Sequence, residues 1–217
     1  MIFSSKKCSA AWKGIVFLSA MAGVLLQCGI FSSKPDFSVL NYYTLMSNIL
    51  CAVYFLPAVF YTLNNPEKTM LPQFKGALVM CITVTGLVYH FMLAGKFEMQ
   101  GTLLISNILL HYVVPLMTVL DWILFDRKGY YKRYSPFLWL IAPLAYFLYV
   151  IVRVAGGAFL GPYGSKYPYY FMDIDVLGFG TVMLINLVMA VFFVILGYII
   201  VWIDHLPWQK INNFRQF

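Results

Sequence analysis

Six long apolar runs alternate with short polar gaps along the chain, at residues 10–31, 39–63, 74–94, 102–125, 136–156 and 177–203. At a rise of ~1.5 Å per residue, each is long enough to cross ~30 Å of hydrocarbon as a helix. A helix satisfies its backbone polar groups within one segment, whereas an open sheet would leave them unpaired in lipid. The gaps carry Pro, Gly, Asn and charge, and no internal repeat interrupts the alternation. The pattern predicts an all-α polytopic membrane protein, a six-transmembrane helix bundle making one domain over residues 1–217. Lys6 and Lys7 before the first run resemble the start of a signal peptide. The run exceeds a usual signal core, however, and no A-x-A site follows it. Gln27 also stands where lipoprotein cleavage before Cys28 needs a small residue, so the run reads as a retained first helix.

Composition agrees with that pattern. Hydrophobic residues make up 62% of the chain and charged residues 11%, against ~25% charged in an ordinary soluble domain. The net charge of +7 does not indicate nucleic acid, because the basic residues lie in the gaps rather than on one face. Cys8, Cys28, Cys51 and Cys81 form no CxxC pair, so neither a disulfide framework, a metal site nor a cofactor is expected. Lys and Arg are distributed unevenly between the two sides. One side would hold Lys6, Lys7, Lys13, Lys68, Lys75, the cluster from Arg127 to Arg133, Lys210 and Arg215. The other would hold Lys34, Lys96 and Lys166, with Arg153 inside the fifth run. The positive-inside rule then puts both termini in the cytoplasm of a cell-membrane protein.

This orientation gives each polar residue of the runs a depth. Thr44 is expected about 5–7 residues below the outer end of the second helix, with Asn48 on the same face at i+4. His111 is expected ~14 Å below the outer end of the fourth helix, with Asn107 one turn nearer the surface. His90, Tyr89 and Arg153 fall near outer ends, and a Tyr-rich external loop leads to Asp173. The inner half holds Asp121 and Trp122, with Asp121 read as an anchor for the basic loop beside it. Pro115 has no N–H for the His111 carbonyl, which predicts a free acceptor and a kink there. Each residue also has a structural reading. A Thr can bond its own i−4 carbonyl, Asn can join helices, Arg can snorkel, and Tyr can form an interfacial belt. The chemical reading pairs Thr44 as nucleophile with His111 as base, with Asn48 and Asn107 orienting them or supporting an oxyanion. No G-x-S-x-G elbow, H-E-x-x-H motif or phosphate loop is present.

The segments Tyr42-Tyr43-Thr44-Leu45-Met46-Ser47-Asn48 and Asn107-Ile108-Leu109-Leu110-His111-Tyr112-Val113-Val114-Pro115, in a six-span chain of 217 residues, resemble the androgen-induced protein and ADTRP family. The block from Tyr167 to Asp173 is similar to its bacterial six-transmembrane branch. The resemblance covers nearly the whole chain. It implies a threonine hydrolase of the type that splits fatty acid esters of hydroxy fatty acids, with Thr44 and His111 at the catalytic positions. Asn107 and Asp121 match further family positions, while Pro115 stands four residues after the His instead of five. The expected substrate is an amphiphilic lipid ester, with Arg153 binding a carboxylate and His90 and Asp173 near the mouth. A transporter or a lipid- or ion-binding protein is the alternative, because intramembrane His, Arg and kinked helices suit that too. A third reading is a scaffold whose polar residues only join helices.

Overall fold

The computed structural model describes residues 5–96 and 99–206. The described residues contain no strand. Six helices are long and apolar enough to cross a membrane: α1 (Lys6–Gln27), α2 (Tyr43–Asn64), α3 (Pro72–Leu93), α4 (Gly101–Phe125), α5 (Ser135–Ala155) and α6 (Phe179–Asp204). Lys210 and Arg215, counted in the charge bias, lie outside the described residues.

Local chemistry sets several boundaries away from those the hydropathy pattern predicts. Ser5 caps α1 by accepting from the Cys8 N–H at 3.4 Å, so the helix starts at Lys6. It ends before Gly29, whose φ of 65° breaks the helical path. Residues Ser38–Asn41 form a separate 3₁₀ turn, and α2 begins only at Tyr43. Thr44 is therefore the second residue of α2, in its first turn rather than well inside it. In α5, Pro143 removes the donor for the Trp139 carbonyl, and the helix is interrupted at Leu140.

α1 packs along α2, and α4 packs against α1 and α3. Gly23 permits the approach of α1 to α4, since a Cβ there would lie 2.7 Å from Leu110. Half of α2 and of α3 is buried, against 11% of α5, so α2 and α3 sit centrally and α5 carries a largely lipid-facing surface.

The helices bury a cluster of ions at the end of the bundle remote from Thr44. Asp121 of α4 bonds Lys13 of α1 at 2.9 Å and Lys75 of α3 at 2.6 Å. All three side chains are buried. Lys13 also donates to Ser9 at 3.0 Å, and Lys75 lies 4.1 Å from the Phe55 ring centre. Lys13 and Lys75 are thus not loop charges, and Asp121 does not anchor the basic loop. That anchor is Asp204 of α6, whose carboxylate accepts from the Gly129 and Tyr131 N–H groups at 2.9 and 3.0 Å. Two lysines on different helices can share one buried carboxylate only if α1, α3 and α4 keep a fixed mutual register.

Replacing Asp121 by Ala leaves the buried Lys13 without its counter-charge and Lys75 with only Asp126, 3.9 Å away. The expected cost is about 3–5 kcal/mol, read as a fall of roughly 6–20 °C in the thermal unfolding midpoint in detergent. Arg127→Ala removes only the exposed pair with Glu67 and is expected to cost below about 1 kcal/mol. Equal midpoints for both variants would refute the structural weight given to the cluster.

Candidate active site

The site begins where two helices leave regular geometry. Residues Tyr89–Leu93 of α3 and Leu109–Val113 of α4 each form a π turn. In α4 the Val114 N–H bonds the Leu109 carbonyl five residues back. The next N–H would belong to Pro115, which has none. The Leu110 carbonyl is thereby left without a partner from its own helix. Asn48 of α2 supplies one, donating from Nδ2 at 3.2 Å, and from the same nitrogen to the Thr44 carbonyl at 2.8 Å. The carbonyl that draws a donor from a neighbouring helix is thus that of Leu110, one residue before His111. The wide turn packs closely on α3, where a Cβ at Gly86 would stand 3.1 Å from the His111 carbonyl oxygen.

The π turn also aims His111 at α2. Its Nε2 lies 3.3 Å from the Thr44 Oγ1, and its Nδ1 lies 3.1 Å from the Asn107 carbonyl oxygen. A carbonyl only accepts, so Nδ1 carries the hydrogen in this contact. The Nε2 lone pair then faces the Thr44 hydroxyl, the arrangement a base needs to take its proton. The ring stacks on Tyr89 with centres 3.8 Å apart and planes 25° from parallel. The Tyr89 hydroxyl in turn accepts from Asn107 Nδ2 at 2.6 Å. Asn107 therefore fixes His111 twice, directly through its backbone and indirectly through Tyr89.

Behind Thr44, Ser47 donates to the Thr44 carbonyl at 3.0 Å and shares a 2.8 Å hydrogen bond with Thr85 of α3. Sequence reasoning missed Ser47 and Thr85; helical spacing places Ser47 beside Thr44, but only packing brings Thr85 to it. Asn48 and Asn107 do join helices, and in doing so they hold Thr44 and His111 in place.

Thr44 stands where two cavities meet. A vestibule of about 460 Å³ is lined by Tyr42, Thr44, Tyr89, Asn107, His111 and by the α5–α6 loop through Tyr167, Tyr169 and Asp173. A smaller cavity of about 70 Å³ lies between α3, α5 and α6, bounded by apolar side chains such as Leu144, Phe147, Met189 and Phe193. Thr44, Tyr89, Leu93 and Tyr169 line both.

The other expected residues separate into two groups. Asp173 reaches the vestibule but also caps the short helix Ile174–Leu177, accepting from the Val176 N–H at 3.1 Å. Arg153 is exposed and lines neither cavity; it donates to the Tyr149 hydroxyl at 3.2 Å. His90 is likewise exposed, 3.3 Å from the Tyr112 hydroxyl. Neither lines a cavity with Thr44. The basic group at the vestibule is instead Lys96, over the Tyr170 ring at 3.8 Å. Its position in a loop gave the sequence no signal beyond charge.

Replacing Asn48 by Ala strips the Leu110 carbonyl of its donor. The expected loss is about 1–3 kcal/mol, measured as a lower unfolding midpoint; an unchanged midpoint would show that the bond does not support the turn. Compared with known proteins, the chain matches no family model, no curated protein and no solved structure, so the arrangement of its own side chains carries the functional reading.

Proposed function

We propose that this protein is an integral membrane hydrolase of amphiphilic lipid esters, with Thr44 as nucleophile and His111 as general base. One observation carries the proposal: the Thr44 hydroxyl faces an imidazole nitrogen whose opposite nitrogen is held by a backbone carbonyl. His111 takes the Thr44 proton as the hydroxyl oxygen adds to the ester carbonyl carbon. It returns that proton to the departing alcohol, and water then releases the acid from the acyl-threonine. The two cavities suit a substrate with unlike halves. The apolar one accommodates part of an acyl chain, and the larger one accommodates the more polar remainder. The resemblance to the androgen-induced protein and ADTRP family supports the same chemistry and points to fatty acid esters of hydroxy fatty acids. Lys96 is better placed than Arg153 to meet a carboxylate on such a substrate.

The charge pattern supports an orientation with both termini in the cytoplasm. Setting aside the buried Lys13 and Lys75, the terminal side of the described chain still carries Lys6, Lys7, Lys68, Arg127, Lys128, Lys132 and Arg133. The opposite side carries Lys34, Lys96 and Lys166. The site then opens toward the outer leaflet of a bacterial cell membrane, where a lipid ester can enter laterally. The alternative, a transporter, draws on the buried Lys13–Asp121–Lys75 cluster in the other half of the bundle.

Purified protein is expected to hydrolyse a fluorogenic fatty-acid ester, with Thr44→Ala and His111→Ala each lowering kcat/KM by about 10²–10⁴-fold. Equal turnover by all three proteins would overturn the mechanism. For orientation, Ser165→Cys in a cysteine-free background is expected to react with an impermeant maleimide on intact cells, while Lys132→Cys is protected. The reverse pattern would invert the topology.

A further inference from the structure

Ester cleavage at Thr44 places negative charge on the substrate carbonyl oxygen, which needs a donor about 3 Å away. Of the asparagines expected for that role, Asn48 has both amide hydrogens engaged and Asn107 has one engaged. Asn48 Nδ2 bonds two backbone carbonyls, and Asn107 Nδ2 bonds the Tyr89 hydroxyl. The Tyr169 phenol is differently placed. It approaches the Thr44 side chain and the first amides of α2, at Tyr43 and Thr44. Leu45 and Met46 already donate to the Tyr42 carbonyl, whereas the N–H groups of Tyr43 and Thr44 belong to the opening of the helix and have no carbonyl one turn back within it. Tyr42 caps this end without a side-chain bond.

We infer that Tyr169 is a further catalytic residue, donating its phenolic hydrogen to the ester oxygen as Thr44 adds to the carbonyl. This inference rests on the hydrolase reading. The ring is held firmly enough for the task, stacked on Phe171 with centres 5.2 Å apart and edge-on to Tyr42 at 5.7 Å. Tyr169 also lines both cavities with Thr44, so a carbonyl at their junction lies between hydroxyl nucleophile and phenol. Burial pushes the phenol above its ordinary range, against the opposing effect of the Thr44 hydroxyl, the two amides and the Tyr146 hydroxyl. It therefore stays protonated at neutral pH and remains a donor. The amides polarise the phenol oxygen, which strengthens the O–H as a donor.

The steps balance. The bond from Thr44 Oγ1 to the carbonyl carbon forms, the π electrons move to the carbonyl oxygen, and the threonine proton goes to His111. Tyr169 keeps its own hydrogen throughout and only shares it. When the carbonyl reforms, the ester C–O bond breaks and the leaving alkoxide takes the proton from His111. Because Tyr169 lies in the loop between α5 and α6, the donor joins the site only while that loop packs against the start of α2.

The test uses full-length protein in detergent and compares wild type with Tyr169→Phe, which keeps the ring contacts. With a fatty-acid p-nitrophenyl ester, kcat is expected to fall about 10²–10³-fold, with KM changed less than about threefold and an unchanged unfolding midpoint. A kcat within about threefold of wild type, or a loss confined to KM, would overturn the role. If Tyr169→Phe fails to fold, trifluorotyrosine encoded at position 169 retains both ring and hydroxyl while changing acidity. Its kcat is expected to shift at constant KM, and an unmoved kcat would overturn the inference. Absence of turnover and of fluorophosphonate labelling at Thr44 in wild type would instead overturn the hydrolase reading beneath it. Wild-type labelling at Thr44 beside undiminished Tyr169→Phe turnover would sink the inference alone.

Discussion

A peptide carbonyl inside hydrocarbon has no water to turn to, so every irregularity in a membrane helix must be repaired by another part of the protein. In α4 the irregularity is a π turn immediately before a proline. It orphans the Leu110 carbonyl, and the repair comes from a side chain of a neighbouring helix. Asn48 makes it while also holding the Thr44 carbonyl. One amide nitrogen therefore ties the turn that carries His111 to the turn that carries Thr44. The distance between the two reactive groups follows from a backbone repair, which explains why the irregular turn and the chemistry coincide. π turns recur at functional sites for this general reason.

The same logic governs the charges. Asp121 at the far end of the bundle is tolerable only with both lysines on it, and those lysines come from α1 and α3. The cluster fixes three helices against one another and leaves the Thr44 end free to hold an open cavity. Stability and chemistry are thus divided between the two ends. The buried ions serve as a clamp on register, and the weaker contacts of α5 and its following loop border the site. The proposed hydrolase needs such a boundary, because a wall of fully packed helices would exclude a lipid substrate.

Much of the site was legible in advance. Thr44, Asn48, Asn107 and His111 stand out because polar groups within apolar runs are costly, and i±4 spacing puts each Asn beside its partner. Arg153 and His90 stood out on the same grounds but are exposed and line neither cavity. Cost of burial identifies a polar residue in a run; it does not say which side of the helix faces inward. Thr44 itself was placed too deep, because hydropathy does not register the 3₁₀ turn at Ser38–Asn41. That correction matters chemically, since a residue in the first turn lies beside amides that have no carbonyl partner within the helix. Ser47, Thr85 and Lys96 carried no distinct signal, being a common hydroxyl pair and a loop charge, while Tyr169 stood in a conspicuous Tyr-rich block that did not single it out from its neighbours.

Six apolar runs in helical lengths determine the class of this protein by themselves, because the demand to bury backbone polar groups is local and leaves one solution per segment. The meeting of Thr44 with His111, the three-helix ion cluster and the descent of Tyr169 onto the start of α2 were decided only by the tertiary structure. Each depends on rotation of one helix relative to another, and that rotation is set by close packing at Gly23 and Gly86 and by hydrogen-bond repair at Leu110. These are properties of helix pairs, and no single run of sequence contains them.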